Sequence, residues 1–138
     1  MRIALIHALK HSIAPIEASF ARLWPEATLM NLLDDSLSAD LARDGSLNEA
    51  MTGRFLALGR YAVGTGAEAI LFTCSAFGPC IEAVAREQAP KPVLKPNEAM
   101  IAQAAVKGRR IGLLSTFPPT RLDATGVSRI RRDRAETR

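Results

Sequence analysis

Aromatic side chains are scarce in this sequence, at 5% of 138 residues. Alanine, leucine and isoleucine must therefore do most of the packing. Long hydrophobic runs are also missing, since none approaches the roughly 20 residues a membrane helix needs. That excludes an integral membrane protein built on helices. Cysteine occurs only twice, at Cys74 and Cys80. Two cysteines six positions apart do not make a disulfide framework, so a reducing, cytoplasmic compartment is the simplest reading. The start, MRIALIHALKHS, has no small-residue cleavage site after its short apolar run, and it reads as a first strand and not as a signal peptide. No metal-ligand spacing occurs, and no glycine-rich phosphate loop follows a strand, so neither a metal nor a nucleotide cofactor is expected.

Charge has little to say about the folded part. Through Thr120 there are 12 Lys+Arg and 11 Asp+Glu, a net of +1. Residues 121–138 add six arginines and three acids, a net of +3. The basic excess thus sits at the end of the chain. With no aromatics interleaved and no reading motif, it gives no case for nucleic-acid binding.

What is present is a regular alternation. Ile3–Ile6 is a short apolar strand. Ile13, Ile16, Phe20 and Leu23 then fall at helical spacing, with Pro15 in the first turn. Residues 27–33 read as a second strand, and 34–45 as a long loop or a loop with one short helix. Ser46 and Glu49 have the spacing of a capping box ahead of a stripe of Leu47, Met51, Phe55, Leu58 and Ala62. Residues 69–73 are the clearest strand. A third helix follows over 78–88, a brief strand at 92–94, a fourth helix over 98–108 begun at Asn97, and a strand at 111–115. Apolar strands joined by helices predict an α/β fold: a parallel sheet with helices on both faces, a flavodoxin-like lobe. Right-handed crossovers then collect the strand-to-helix loops at one edge, where ligands bind. After Thr120 the apolar periodicity stops. The expected division is a first lobe over 1–96, the start of a second over 97–120, and a basic, disordered tail over 121–138. The fold reads as interrupted within its second lobe, which would leave apolar faces uncovered and favour a homodimer.

The chemistry centres on AILFTCSAFGPC. Cys74 closes a buried strand just before a helix that starts near Gly78. Orphan backbone N–H groups and the positive end of a helix dipole there favour thiolate, so its pKa is expected to fall below the free value of about 8.5. A thiolate is a base or a nucleophile. The alternative is an inert core cysteine, which is the reading for Cys80 in the following helix. Asp34 and Asp35 read as solvated loop acids.

The stretches MRIALIHA, NLLDDSLS, MTGRFLALGRYAVGTGAEAILFTCSAFG, PVLKPNEAM and RIGLLSTFPPT resemble, in order and spacing, the aspartate/glutamate/hydantoin racemase superfamily over about residues 1–120. The resemblance implies a two-lobed, cofactor-independent isomerase acting at the carbon next to a carboxylate or carbonyl of a small substrate. It implies two catalytic cysteines, one per lobe, of which Cys74 would be the first. Thr73 and Ser75 would supply hydrogen-bond donors, and Thr116 would be the hydroxyl after the first strand of the second lobe. His7, at the end of the first strand, is a candidate substrate contact or a satisfied polar residue. Ser12 would bind a carboxylate or cap its helix, and Asn97 likewise either touches substrate or caps. One thiol cannot serve both faces of a carbon, so the chain is expected to be inactive as a racemase. Relatives that decarboxylate malonate derivatives leave the reaction type open. A non-enzymatic flavodoxin-like binding domain and a Cys74–Cys80 redox pair are the other readings.

Overall fold

A computed structural model describes residues 1–107. The strand expected at 111–115, Thr116 and the segment 121–138 lie outside the described residues. Among the described residues, strands and α-helices follow in the order β1 (Arg2–His7), α1 (Ile13–Leu23), β2 (Thr28–Leu33), α2 (Ser36–Asp44), α3 (Glu49–Gly64), β3 (Ala69–Phe72), α4 (Gly78–Glu87), β4 (Val93–Leu94) and α5 (Glu98–Lys107). The four strands form one parallel sheet in the order β2-β1-β3-β4. This is the α/β architecture the alternation implied. Residues 34–45 resolve to the loop with one short helix, because Leu37 and Leu41, four apart, both bury on one side of α2.

The two faces of the sheet are covered unequally. Ala4 and Ile6 of β1 and Ile70 and Phe72 of β3 point to one face, where they pack with Leu37 and Leu41 of α2, Met51, Phe55 and Ala62 of α3, and Ile81 and Val84 of α4. Phe55 is the hub. Its ring lies 5.2 Å from that of Phe72 and 4.9 Å from that of Phe77. Ile3, Leu5 and His7, alternating with the first set, face the other way and are also buried. There α1 lies across the sheet, tied by Asn31 Nδ2 donating to Glu17 Oε1 at 2.6 Å. No residue of α1 is fully buried: Ile13, Ile16 and Phe20 are half-covered, and Leu23, the last member of the expected stripe, is 70% exposed.

The helix start at 46–49 differs from the capping-box expectation. Asn48, extended at φ −131°, accepts from Met51 N–H at 2.8 Å through its side chain, and α3 begins one residue later. Ser46 and Asn48 are both good caps, and the one next to Glu49 won. At its other end α3 is closed by Gly66, whose φ of +89° suits glycine.

One contact sets the approach of α3 to α4. A Cβ placed on Gly59 would stand 2.6 Å from Cγ1 of the buried, stiff Val84. Overpacking of this kind costs about 1–3 kcal/mol, against about 0.5–1 kcal/mol gained from alanine in a helix interior. Gly59→Ala is therefore expected to lower stability by about 1 kcal/mol in urea unfolding. Adding Val84→Ala should give a double variant more stable than the sum of the single losses. Strict additivity would show that the close approach is not tight.

Arg54 pins the β2–α2 corner. It donates to Asp34 Oδ2 and to Asp40 Oδ2, each at 2.6 Å. Burial alone would raise the Asp34 pKa, but the Ser36 hydroxyl and the Arg54 guanidinium outweigh it and hold it below the usual carboxylate value. Asp35 pairs with Lys10 at 3.0 Å. Both acids are thus engaged in ion pairs and are not simply solvated.

Candidate functional site

The carboxyl ends of β1 and β3 build the site. β3 continues for one residue beyond its formal end, because Thr73 N–H donates to Ile6 C=O at 3.0 Å. That bond sets Thr73 beside His7. The chain then turns through a short 3-10 turn, Ser75–Phe77, into α4, with Cys74 at the corner in extended conformation. On the β1 side, the 3-10 turn Lys10–Ser12 leads into α1 and brings Ser12 over the same edge. His7, Ser12 and Thr73 meet as a result. His7 Nδ1 lies 2.9 Å from Thr73 Oγ1 and 3.1 Å from Ser12 Oγ, and the two hydroxyl oxygens are 3.2 Å apart.

His7 departs from its expected role as a substrate contact. It is 0% exposed, and its other nitrogen, Nε2, meets Asn31 Oδ1 at 2.9 Å. It lies beneath the site and supports the hydroxyls that could line it. Of its two sequence readings, the satisfied polar residue is the one the geometry favours. Ser12 precedes α1, but its side chain makes no cap bond; its hydroxyl donates instead to Leu9 C=O at 2.7 Å. Asn97 opens α5, where its carbonyl accepts from Ile101 N–H at 2.9 Å. It belongs to the neighbouring loop of the same edge.

Cys74 is half-buried, and its expected downward shift is reversed. Burial pushes the thiol up, because removing a thiolate from water is costly, and the backbone N–H of Ala76 recovers only part of that. The helix dipole does not offset this, for a local reason. The turn facing Cys74 is three residues long, and α4 starts four residues beyond the sulfur, whereas the dipole acts within the first turn of a helix. Folding thus favours the neutral thiol. Its contribution to stability is complete below the unfolded pKa and is lost as pH rises through the folded one. Cys80 is 0% exposed, with Thr52 Oγ1 3.5 Å from its sulfur, and burial raises its pKa too. Both cysteines are free thiols.

Alkylation should report this order. Iodoacetamide is expected to modify Cys74 slowly at pH 7, with an apparent pKa above the free value of about 8.5. Cys80 should react only on unfolding. Peptide mass spectrometry against pH separates the two, and a Cys74 midpoint at or below the free value would contradict the burial argument.

Two members of the network were not singled out from the sequence, Asn31 and Glu17. Asn31 carried a signal, as the one polar residue interrupting the apolar run LMNLL. Glu17 carried none, being one more polar position on an amphipathic helix.

Among the described residues, no group of three or more His, Cys, Asp or Glu side chains could hold a metal ion. No described helix is long and apolar enough to cross a membrane. No model of a known protein family matches the chain, and no curated protein matches it in sequence.

Proposed function

We propose that this chain moves a proton at the carbon next to a carboxylate or carbonyl of a small substrate, by the cofactor-independent thiol chemistry of the racemase type, with Cys74 as the acid/base. The observation that carries the reading is the placement of a half-buried thiol at the carboxyl edge of a parallel sheet. It directly follows Thr73, whose hydroxyl is held by Ser12 and His7. Edges of this kind are where open α/β sheets bind ligands.

The chemistry has two demands. A base must take a weakly acidic proton, and donors must meet the charge that builds on the adjacent oxygen. Burial makes the Cys74 thiolate scarcer but more basic, which suits a reluctant carbon acid. Ser75 and the backbone N–H groups of the turn after Cys74 are the donors nearest in sequence. With Cys80 packed inside, Cys74 can serve only one face of the carbon. The expected activity of this chain is therefore exchange of the α-proton with retention of configuration.

The test is incubation in D2O with aspartate, glutamate and hydantoin, followed by NMR. Deuterium appearing at the α-carbon, faster as pH rises, supports the reading. No exchange with any of the three would overturn it. A second reading, decarboxylation of a substituted malonate, is favoured by the neutral resting thiol. Loss of CO2 leaves a carbanion that needs one proton from one face, and a thiol can give it. Release of CO2 from a monosubstituted malonate would select that reaction.

A further inference from the structure

We propose that two copies of this chain join through the free edge of β2, pairing antiparallel about a two-fold axis at Asn31, so that their sheets become one. This association does not depend on the chemistry at Cys74.

The two edges of the sheet are unlike. β4 is only Val93–Leu94, with Lys91 and Pro92 before it and Lys95 and Pro96 after. Short length, lysine and proline are the devices that keep a sheet edge from pairing. β2, at the opposite edge, runs over Thr28–Leu33 with no charge, no proline and an unbroken register against β1. Among the described residues, no strand pairs with its outer side. Thr28, Asn31 and Leu33 are exposed. A row of outward N–H and C=O groups is satisfied by another extended segment laid along it.

The backbone decides which segment fits. Thr28 N–H donates to Met1 C=O and Asp34 N–H to His7 C=O, both at 3.0 Å. Strand groups alternate in direction with a period of two, so Thr28, Met30, Leu32 and Asp34 turn theirs toward β1. Leu29, Asn31 and Leu33 turn theirs outward. A second β2, antiparallel with Asn31 facing Asn31, meets that row group for group. Leu29 faces Leu33 of the second copy and Leu33 faces its Leu29, each pair exchanging both of its hydrogen bonds. A register moved by one residue would set outward groups against residues bonded to β1. One moved by two would leave Leu29 or Leu33 facing beyond the end of the strand. The side chains agree, because a two-fold axis keeps like faces together. Leu29 and Leu33, on the α1 side, make a leucine pair at each end of the seam, and Met30 lies across from Leu32 on the other side. Charge does not oppose the match. Asp34 falls opposite Thr28 with its carboxylate held by Arg54, and Asp35, held by Lys10, falls opposite Ala27. The axis passes through the residue whose amide oxygen meets His7 Nε2 at 2.9 Å, so association braces the strand that supports the site.

Amide hydrogen exchange on the whole chain tests this. In concentrated samples Leu29, Asn31 and Leu33 should exchange slowly, and dilution through the dissociation range should speed them about tenfold or more. Met30 and Leu32, bonded within the chain, should stay protected throughout. Sedimentation equilibrium should show dimer giving way to monomer over the same range. Leu33→Pro removes an outward N–H and leaves the β1 ladder intact, so it should yield a monomer with the circular dichroism of the parent. Leu33→Lys should do the same by charge, without touching the backbone. In a Cys74→Ser background, Asn31→Cys should cross-link on mild oxidation, since the facing Cα atoms would stand about 5.5 Å apart. Thr28→Cys would lie about 20 Å from its counterpart, at about 3.4 Å per residue, and should not. A chain that stays monomeric up to about 1 mM, exchange at Leu29, Asn31 and Leu33 that ignores concentration, a dimer that survives both Leu33 variants, or Thr28→Cys cross-linking as readily as Asn31→Cys would each overturn the proposal.

Discussion

Replacing Cys74 by serine is expected to slow α-proton exchange about 1,000-fold, within the range of about 10²–10⁴ that a positioned acid/base supplies. The size of the effect comes from acidity and not from shape. Serine is nearly isosteric and keeps an acceptor for the Ala76 N–H that now meets the sulfur. The hydroxyl, however, is a far weaker acid than a thiol and will not form an alkoxide at neutral pH. Cys74 is half-buried against the edge of the core, so the exchange of sulfur for oxygen should change stability little. Circular dichroism and urea unfolding close to those of the parent chain would accompany the loss. If exchange survived in Cys74→Ser at more than about a tenth of its rate, the proton would be moving through another group.

Phe55→Ala is the largest expected effect on the fold, a loss of about 3–5 kcal/mol. Phe55 is fully buried and stacks on Phe72 of β3 and Phe77 of the Cys74 turn. It thus links α3, the sheet and the site loop in one contact set. Sheet and helices cannot close the space it leaves without shifting α3, which Gly59 already holds against Val84. Domains of this size have only about 5–15 kcal/mol in hand, so the urea midpoint should fall by about 1 M or more. Leu23→Ala, at a position 70% exposed, is the control and should change stability by no more than about 0.5 kcal/mol. A Phe55→Ala loss of similar size to the control would mean that the aromatic cluster is not the centre of the core.

Most of the strands and helices could be read from the sequence because their signals are local. The runs Ile3–Ile6 and Ala69–Phe72 are continuous and apolar, and both became central strands. What could not be read depended on partners arriving from elsewhere. The cap at Asn48 and the rejected one at Ser46 obey the same local rule, so only the path of the chain into α3 decided between them. The sign of the Cys74 shift turned on how deeply the turn is packed, and position along the chain does not reveal that. His7 could be placed at the right edge of the sheet. Its burial required Ser12, Asn31 and Thr73 to converge from three other segments, which no spacing announces.

The thin hold of α1 has a consequence for how the site fails on warming. An element without a fully buried residue has the least to lose by detaching, and such elements open well below the global transition. α1 carries Glu17, and the turn leading into it carries Ser12. Transient detachment would strip His7 of one hydroxyl and release the Asn31 amide while the aromatic core stayed closed. The recognition edge then has a melting temperature of its own, lower than that of the sheet it stands on.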